Sequence, residues 1–285
     1  MKRQRDLFST ILISLTRRLR WTRASYYLMS GFLLAIALIM YVWWPLVVEY
    51  WSTYNPDVPF WKQFDWLLLG IFAFMSLMIM AGADLKRDLP MILIGLVGGL
   101  VIESWGTQTE LWTYYTFERP PLWIIPAWPI ASLSIDRLYR MIKAPLKTFP
   151  DLLFKALHWV ILPLFFLLML IFTAPTMDKS LTVMALFLVG FLTLTPPDYR
   201  GTILTFLAGA GLGYFLELWG TTRQAWTYYT LETPPLFAIL AHGMAAVAFW
   251  RVLVLYKLFE PRFPRVTRIL KSTWMRTIRK FPDPQ

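Results

Sequence analysis

The chain has no cysteine among its 285 residues. Disulfides, thiolate chemistry and cysteine-ligated metals are therefore excluded. Histidine is nearly absent too, with only His158 and His242. The sequence contains no phosphate-binding P-loop, no GxGxxG, no HExxH and no Ser-His-Asp order. It lacks the alternation of apolar and polar residues that a membrane β-barrel requires. No nucleic-acid motif accompanies its net charge of +11, and no nucleic-acid partner is expected.

What is present is apolar. Hydrophobic residues make up 57% of the chain, with 21 Phe, 15 Trp and 13 Tyr. That exceeds the ~45–50% of soluble domains. Several stretches pass the ~18-residue threshold for a membrane span. The pattern predicts an all-α polytopic membrane protein with about eight helices. They fall at roughly 27–48, 66–83, 89–105, 121–136, 153–174, 180–196, 202–218 and 235–256. The first stretch has no Ala-x-Ala-like cleavage site, so a retained span is expected rather than a signal peptide.

Charge sets the expected orientation. Of 28 Lys and Arg, 24 fall at the termini or in the even-numbered loops. Lys62, Arg119, Lys179 and Arg223 fall on the other side. The positive-inside rule then predicts a multi-pass protein of the cytoplasmic membrane with both termini cytoplasmic. Residues 1–26 and 258–285 form basic tails with apolar residues interspersed. They are expected to lie as amphipathic helices on the cytoplasmic leaflet, touching membrane lipids.

With these spans, His158 lies early in an outward-running helix and His242 early in an inward-running one. Their depths differ by about 10 Å in a core about 30 Å thick. Two axial ligands of one haem need the same depth, so a bis-histidine haem is not expected. No metal or cofactor is predicted.

The chain also repeats itself. Residues 103–122 read ESWGTQTELWTYYTFERPPL and residues 217–236 read ELWGTTRQAWTYYTLETPPL. At this offset of 114, 13 of 20 positions are identical, while the following twenty keep only 4. Two repeats are expected, 27–143 and 151–257, with Pro145 and Pro150 marking the linker. Four spans in each give both repeats the same orientation, a parallel arrangement about an axis along the membrane normal.

Each repeat carries a GxxxG stripe, Gly95 and Gly99 matching Gly209 and Gly213. Four residues further on stand Glu103 and Glu217, on the same helix face as the glycines. Small-residue stripes let helices approach closely in lipid. If the third and seventh helices pair along them, the two carboxylates converge near the extracytoplasmic end. Acidic residues inside spans are rare and usually face the bundle interior. A glutamic acid that keeps its proton in an apolar pocket can act as a general acid. The alternative is structural: each Glu accepts bonds from Trp N–H and Tyr O–H groups and locks the following loop. His242 occupies the position matching Trp128 and is a candidate partner for Glu217.

Gly106 and Gly220 are expected to cap the helix ends. The aromatics that follow, Trp105, Trp112, Tyr114 and Tyr115 against Trp219, Trp226, Tyr228 and Tyr229, are either an interfacial belt or a substrate-binding wall, to which Trp128 would add. Pro120-Pro121 and Pro234-Pro235 are expected to open the next spans. Glu118 and Glu232 read as surface residues, and Asp84 and Asp198 as helix caps. The halves also differ: Thr109 matches Arg223, Arg119 matches Thr233, and Asp136 matches Trp250.

The order Glu103, Gly106, Thr109, Trp112, Tyr114, Pro121, Leu122, Trp123, Pro126 and Trp128 resembles the integral-membrane carotenoid biosynthesis family that includes bisanhydrobacterioruberin-type hydratases. It covers about 26 residues of the first repeat and less of the second, which has no equivalents of Pro126 and Trp128. Glu110 stands where the family pattern has glycine, and the tandem arrangement is a further departure. The resemblance implies an enzyme that protonates or hydrates an isoprenoid double bond. Glu103 or Glu217 would donate the proton, and Trp and Tyr faces would stabilise the carbocation. The competing expectations are a scaffold or accessory subunit holding pigment or lipid, and a transporter. A transporter ranks last, because no span carries a central ionisable residue.

Overall fold

The computed structural model describes residues 20–195 and 198–259. The two basic tails, apart from a few residues at their inner ends, lie outside the described residues. Nine α-helices and two short strands are present among the described residues. In chain order they are α1 (Arg23–Val42), α2 (Trp44–Ser52), α3 (Trp66–Met80), α4 (Leu85–Gln108), β1 (Trp112–Tyr114), α5 (Ala127–Lys143), α6 (Asp151–Thr173), α7 (Ser180–Leu194), α8 (Tyr199–Thr222), β2 (Trp226–Tyr228) and α9 (Leu236–Phe259). Helices α1, α4, α6, α8 and α9 are long and apolar enough to cross a membrane. Helices α3 and α7 are apolar but only 15 residues each.

Two expected spans differ. The first breaks at Trp43, where α2 begins with Pro45 in its opening turn. The fourth was expected over 121–136, but α5 runs from Ala127 to Lys143. Residues 121–126 form turns instead, and Pro126 supplies the helix N-cap. Proline suits such an entry because its missing N–H would have no helical partner there. The second half follows the expectation, with α9 starting directly after Pro234-Pro235.

The repeat persists in the backbone. Helices α4 and α8 each have 24 residues, offset by 114. Their ends match as well. Glu110 and Gln224 adopt left-handed backbone, with φ of 63° and 54°. The Leu111 N–H then reaches back to the Gly106 carbonyl, and the Ala225 N–H to the Gly220 carbonyl, both at 2.9 Å. This is a Schellman closure with a non-glycine residue at the left-handed position. It explains why glycine would suit position 110.

Gly106 and Gly220 therefore sit inside the last helical turns and do not cap them, contrary to the sequence expectation. Their missing Cβ makes room for an indole. A Cβ on Gly106 would stand 1.9 Å from the Trp112 ring, and one on Gly220 would stand 2.0 Å from the Trp226 ring.

The GxxxG stripes pack differently from the expectation. Gly95 and Gly99 face Pro129 and Trp128 of α5. Gly209 and Gly213 face His242, Gly243 and Ala246 of α9. Each glutamate helix is thus seated on the following helix of its own repeat, and the stripes do not join α4 to α8. A strand pair helps to join the repeats at the glutamate end. β1 and β2 run antiparallel, with Trp112 opposite Tyr228, Thr113 opposite Thr227 and Tyr114 opposite Trp226. The duplicated segment pairs with its own copy.

Candidate functional site

The carboxylate of Glu103 is 3% exposed and accepts three hydrogen bonds. Trp112 Nε1 donates to Oε2 at 3.1 Å. Tyr114 Oη and Trp128 Nε1 donate to Oε1 at 2.9 and 3.1 Å. The strand places the first two donors, since alternate strand residues share a face. Helix α5 supplies the third. The Thr107 hydroxyl donates to the Glu103 carbonyl one turn back, at 2.6 Å.

Glu217 repeats the arrangement with one change. Trp226 Nε1 donates to Oε2 at 2.9 Å and Tyr228 Oη to Oε1 at 3.0 Å. The third partner is His242 Nε2, 2.8 Å from Oε1. Thr221 bonds the Glu217 carbonyl at 2.6 Å, as Thr107 does in the first half. Trp128 and His242 meet across the two halves, their rings stacked at 6.1 Å and 18°.

Both carboxylates line one cavity of about 620 Å³ whose wall is almost wholly apolar. Trp105, Trp112, Tyr114, Trp128, Trp219, Trp226, Tyr228 and His242 line it with them. The convergence expected for Glu103 and Glu217 is therefore present, through the strand pair rather than through the glycine stripes. Tyr115 and Tyr229, expected on the substrate wall, do not line it. Their hydroxyls bond the carbonyls of Val42 and Phe172, at 2.5 and 2.8 Å, and tie the loops to α1 and to α6.

Trp112, Tyr114 and Tyr228 are buried and Trp226 is partly buried. The exposed Glu118 and Glu232 stay outside the site, as expected. Asp84 caps α4, its side chain accepting from the Lys86 N–H at 3.0 Å. Asp198 stands at the N-cap of α8 without a side-chain cap bond.

Sequence reasoning missed several contacts. Trp105 and Trp219 each reach into the opposite half. Trp105 Nε1 donates to Thr182 Oγ1 at 3.2 Å, and Trp219 Nε1 to Asp65 Oδ2 at 2.9 Å. Asp65 also receives Arg223 at 2.9 Å. At the matching place Lys179 Nζ donates to the Thr109 carbonyl at 3.2 Å. The mismatches between the halves thus pair with one another across the repeat. Partial burial pushes the Asp65 carboxyl up, but the Leu68 N–H, Arg223 and Trp219 together hold it below its ordinary 3.8.

Trp43, stacked on Trp219 at 4.8 Å, also lines the cavity. The sequence offered no motif for it. A buried ion pair was missed as well. Arg137 meets Asp88 with two bonds of 3.0 and 2.6 Å, the two side chains being 4% and 2% exposed. No sequence signal marked it: Asp88 follows Lys86 and Arg87, and Arg137 follows Asp136, so both read as ordinary charged helix ends. No group of three or more metal-ligating side chains occurs among the described residues.

No protein family, curated protein or solved structure matches the chain.

Proposed function

We propose that this is an integral membrane enzyme that delivers a proton to a carbon–carbon double bond of an isoprenoid or polyene lipid, leading to hydration or cyclisation. In this reading eight helices cross the cytoplasmic membrane in two parallel repeats of four, with both termini cytoplasmic. The observation that carries it is the apolar cavity of about 620 Å³ with a glutamate from each half in its wall. Its size falls in the ~300–1,000 Å³ range of ligand sites. Its lining includes Leu93, Val97 and Val101 of α4 and Leu188 of α7, which are also exposed on the outer surface. An apolar lipid can enter sideways through such a wall without crossing water. Aromatic faces around the carboxylates supply cation–π stabilisation for a carbocation. The resemblance of the Glu103–Trp128 segment to carotenoid-modifying membrane proteins agrees with this chemistry.

A second reading, a non-enzymatic holder of pigment or lipid or an accessory subunit of a membrane complex, draws on a specific observation. Glu103 has a donor on each oxygen and a third besides, which suits a loop lock. No observation favours transport. Protein purified in mild detergent separates the readings. The enzyme predicts an extracted isoprenoid or polyene by absorption and mass spectrometry, and loss of its conversion in Glu217→Gln. A holder predicts the same ligand, chemically unchanged by the protein. Stoichiometric protein subunits with no isoprenoid would overturn the enzyme.

A further inference from the structure

We propose that Glu217 and His242 form the mobile proton pair of this cavity, and that Glu103 is a fixed acceptor holding the opposite loop. This rests on the reading of the cavity as the working site, though not on the identity of its ligand.

The two sites differ in their count of donors and acceptors. An indole N–H only donates, whereas a neutral imidazole nitrogen donates or accepts according to its tautomer. Glu103 faces two indoles and one phenol. A proton on Glu103 has only the Tyr114 oxygen to go to, and that geometry strips the phenol hydrogen of its own acceptor. Glu217 faces one indole, one phenol and Nε2 of His242. Here a proton on Oε1 is accepted by Nε2 at 2.8 Å with Trp226 and Tyr228 still donating. The proton therefore has two resting places along one bond in the second half and none of equal quality in the first.

The groups facing Glu217 are few. Tyr228 comes from β2 and His242 from α9, with Glu103 of α4 and Tyr114 of β1 across the same cavity. The stacked Trp128 ring covers one face of His242. Among the described residues, no lysine or arginine lines the cavity.

The step balances without an oxidant or reductant. Glu217 gives its proton to one alkene carbon, forming a C–H bond from the π pair and leaving a cation on the neighbouring carbon. Trp226 and Tyr228 hold the resulting carboxylate. Water adds through oxygen, forming a C–O bond, and its surplus proton passes to His242 Nε2. That proton returns to Glu217 along the 2.8 Å contact. The sum is the addition of one water and a restored pair.

The chain has only two histidines, so 15N-histidine labelling of the whole protein yields the ring signals of just two imidazoles. His158, packed between the rings of Trp159 and Tyr199, serves as the internal reference. In Glu217→Gln the amide fixes His242 in one tautomer, and its Nε2 resonance should move. In Glu103→Gln it should keep the wild-type position. If Glu217→Gln leaves it unmoved, or if Glu103→Gln moves it equally, the assignment is overturned.

His242→Trp, which copies the first half, covers the case where Glu217→Gln does not fold. With 13C-labelled glutamate, the infrared band of a protonated carboxyl at this site should be present in the wild type and absent in His242→Trp. Persistence of that band would also overturn the proposal. Neither readout needs a substrate, so a failed isoprenoid search leaves this test standing.

Discussion

Glu103 and Glu217 are held by the same Trp and Tyr, at the same spacing, with bonds that differ by no more than about 0.2 Å. Their surroundings diverge at one matched position, where α5 places Trp128 and α9 places His242. A donor-only group on one side and a donor-or-acceptor on the other separate a lock from a proton exchanger. A duplicated scaffold can thus keep its mechanical part twice and change its chemistry once. The same economy holds at the seam between repeats. Asp65 with Arg223, and Lys179 with the Thr109 carbonyl, are one contact written in two chemistries.

The strongest test of this comparison lies away from the cavity. Asp88→Ala takes two bonds from the buried Arg137 guanidinium and leaves it those to Asp136 and the Ala81 carbonyl, at 2.8 and 3.2 Å. Breaking a buried pair costs about 3–5 kcal/mol, and the remaining partners hold the loss to the lower end. The second half has Thr202 and Arg251 at the matching positions, so Thr202→Ala should cost far less. Thermal unfolding in detergent compares the two, and equal losses would contradict the assigned asymmetry.

Gly106→Ala and Gly220→Ala come next. Each new Cβ lands on an indole ring, and overpacking of this kind costs about 1–3 kcal/mol. The two effects should match, because the geometry is the same in both halves. A large difference between the two melting shifts would break the equivalence of the scaffold.

Glu103→Gln and Glu217→Gln sharpen it further. At position 103 either orientation of the amide turns its NH₂ toward an indole N–H, leaving donors unsatisfied at about 1–3 kcal/mol. At position 217 the NH₂ can face Nε2 of His242 while the amide oxygen accepts from Trp226, and only the Tyr228 hydroxyl, which can rotate, loses its acceptor. Glu217→Gln should therefore lose less stability than Glu103→Gln. The reverse order in a melting experiment would refute the donor count.

The smallest effect is expected at Asp65. Its folded-state pKa lies below the ordinary 3.8, so its contribution is complete above that value and is lost as pH falls through the folded one. Wild-type stability should drop in that acid window, and Asp65→Asn should flatten the drop. A Tm–pH profile of both proteins checks the sign.

Much of this was legible in the chain. The apolar runs announced the helices, and the repeated Glu-x-Trp-Gly and Trp-Thr-Tyr-Tyr announced a site built twice. His242 as a partner for Glu217 followed from its match to Trp128. Other parts were not legible. The glycine stripes promised close helix contact but carried no address, and they seat α5 and α9 rather than joining α4 to α8. Tyr115 and Tyr229 look no different from Tyr114 and Tyr228 in sequence. Strand alternation decides that one of each pair meets a carboxylate and the other a helix carbonyl.

Composition and periodicity by themselves determined that the chain forms apolar helices and carries one segment twice, each copy with a glutamate where a charge is costly. Those are local properties, set by which residues can be buried in helical form. The tertiary structure alone decided that the two copies meet as an antiparallel pair, that both glutamates open on one cavity, and that Trp128 stacks on His242. Such contacts join residues more than a hundred positions apart. They depend on how whole helices seat against one another, which local residue pattern does not encode.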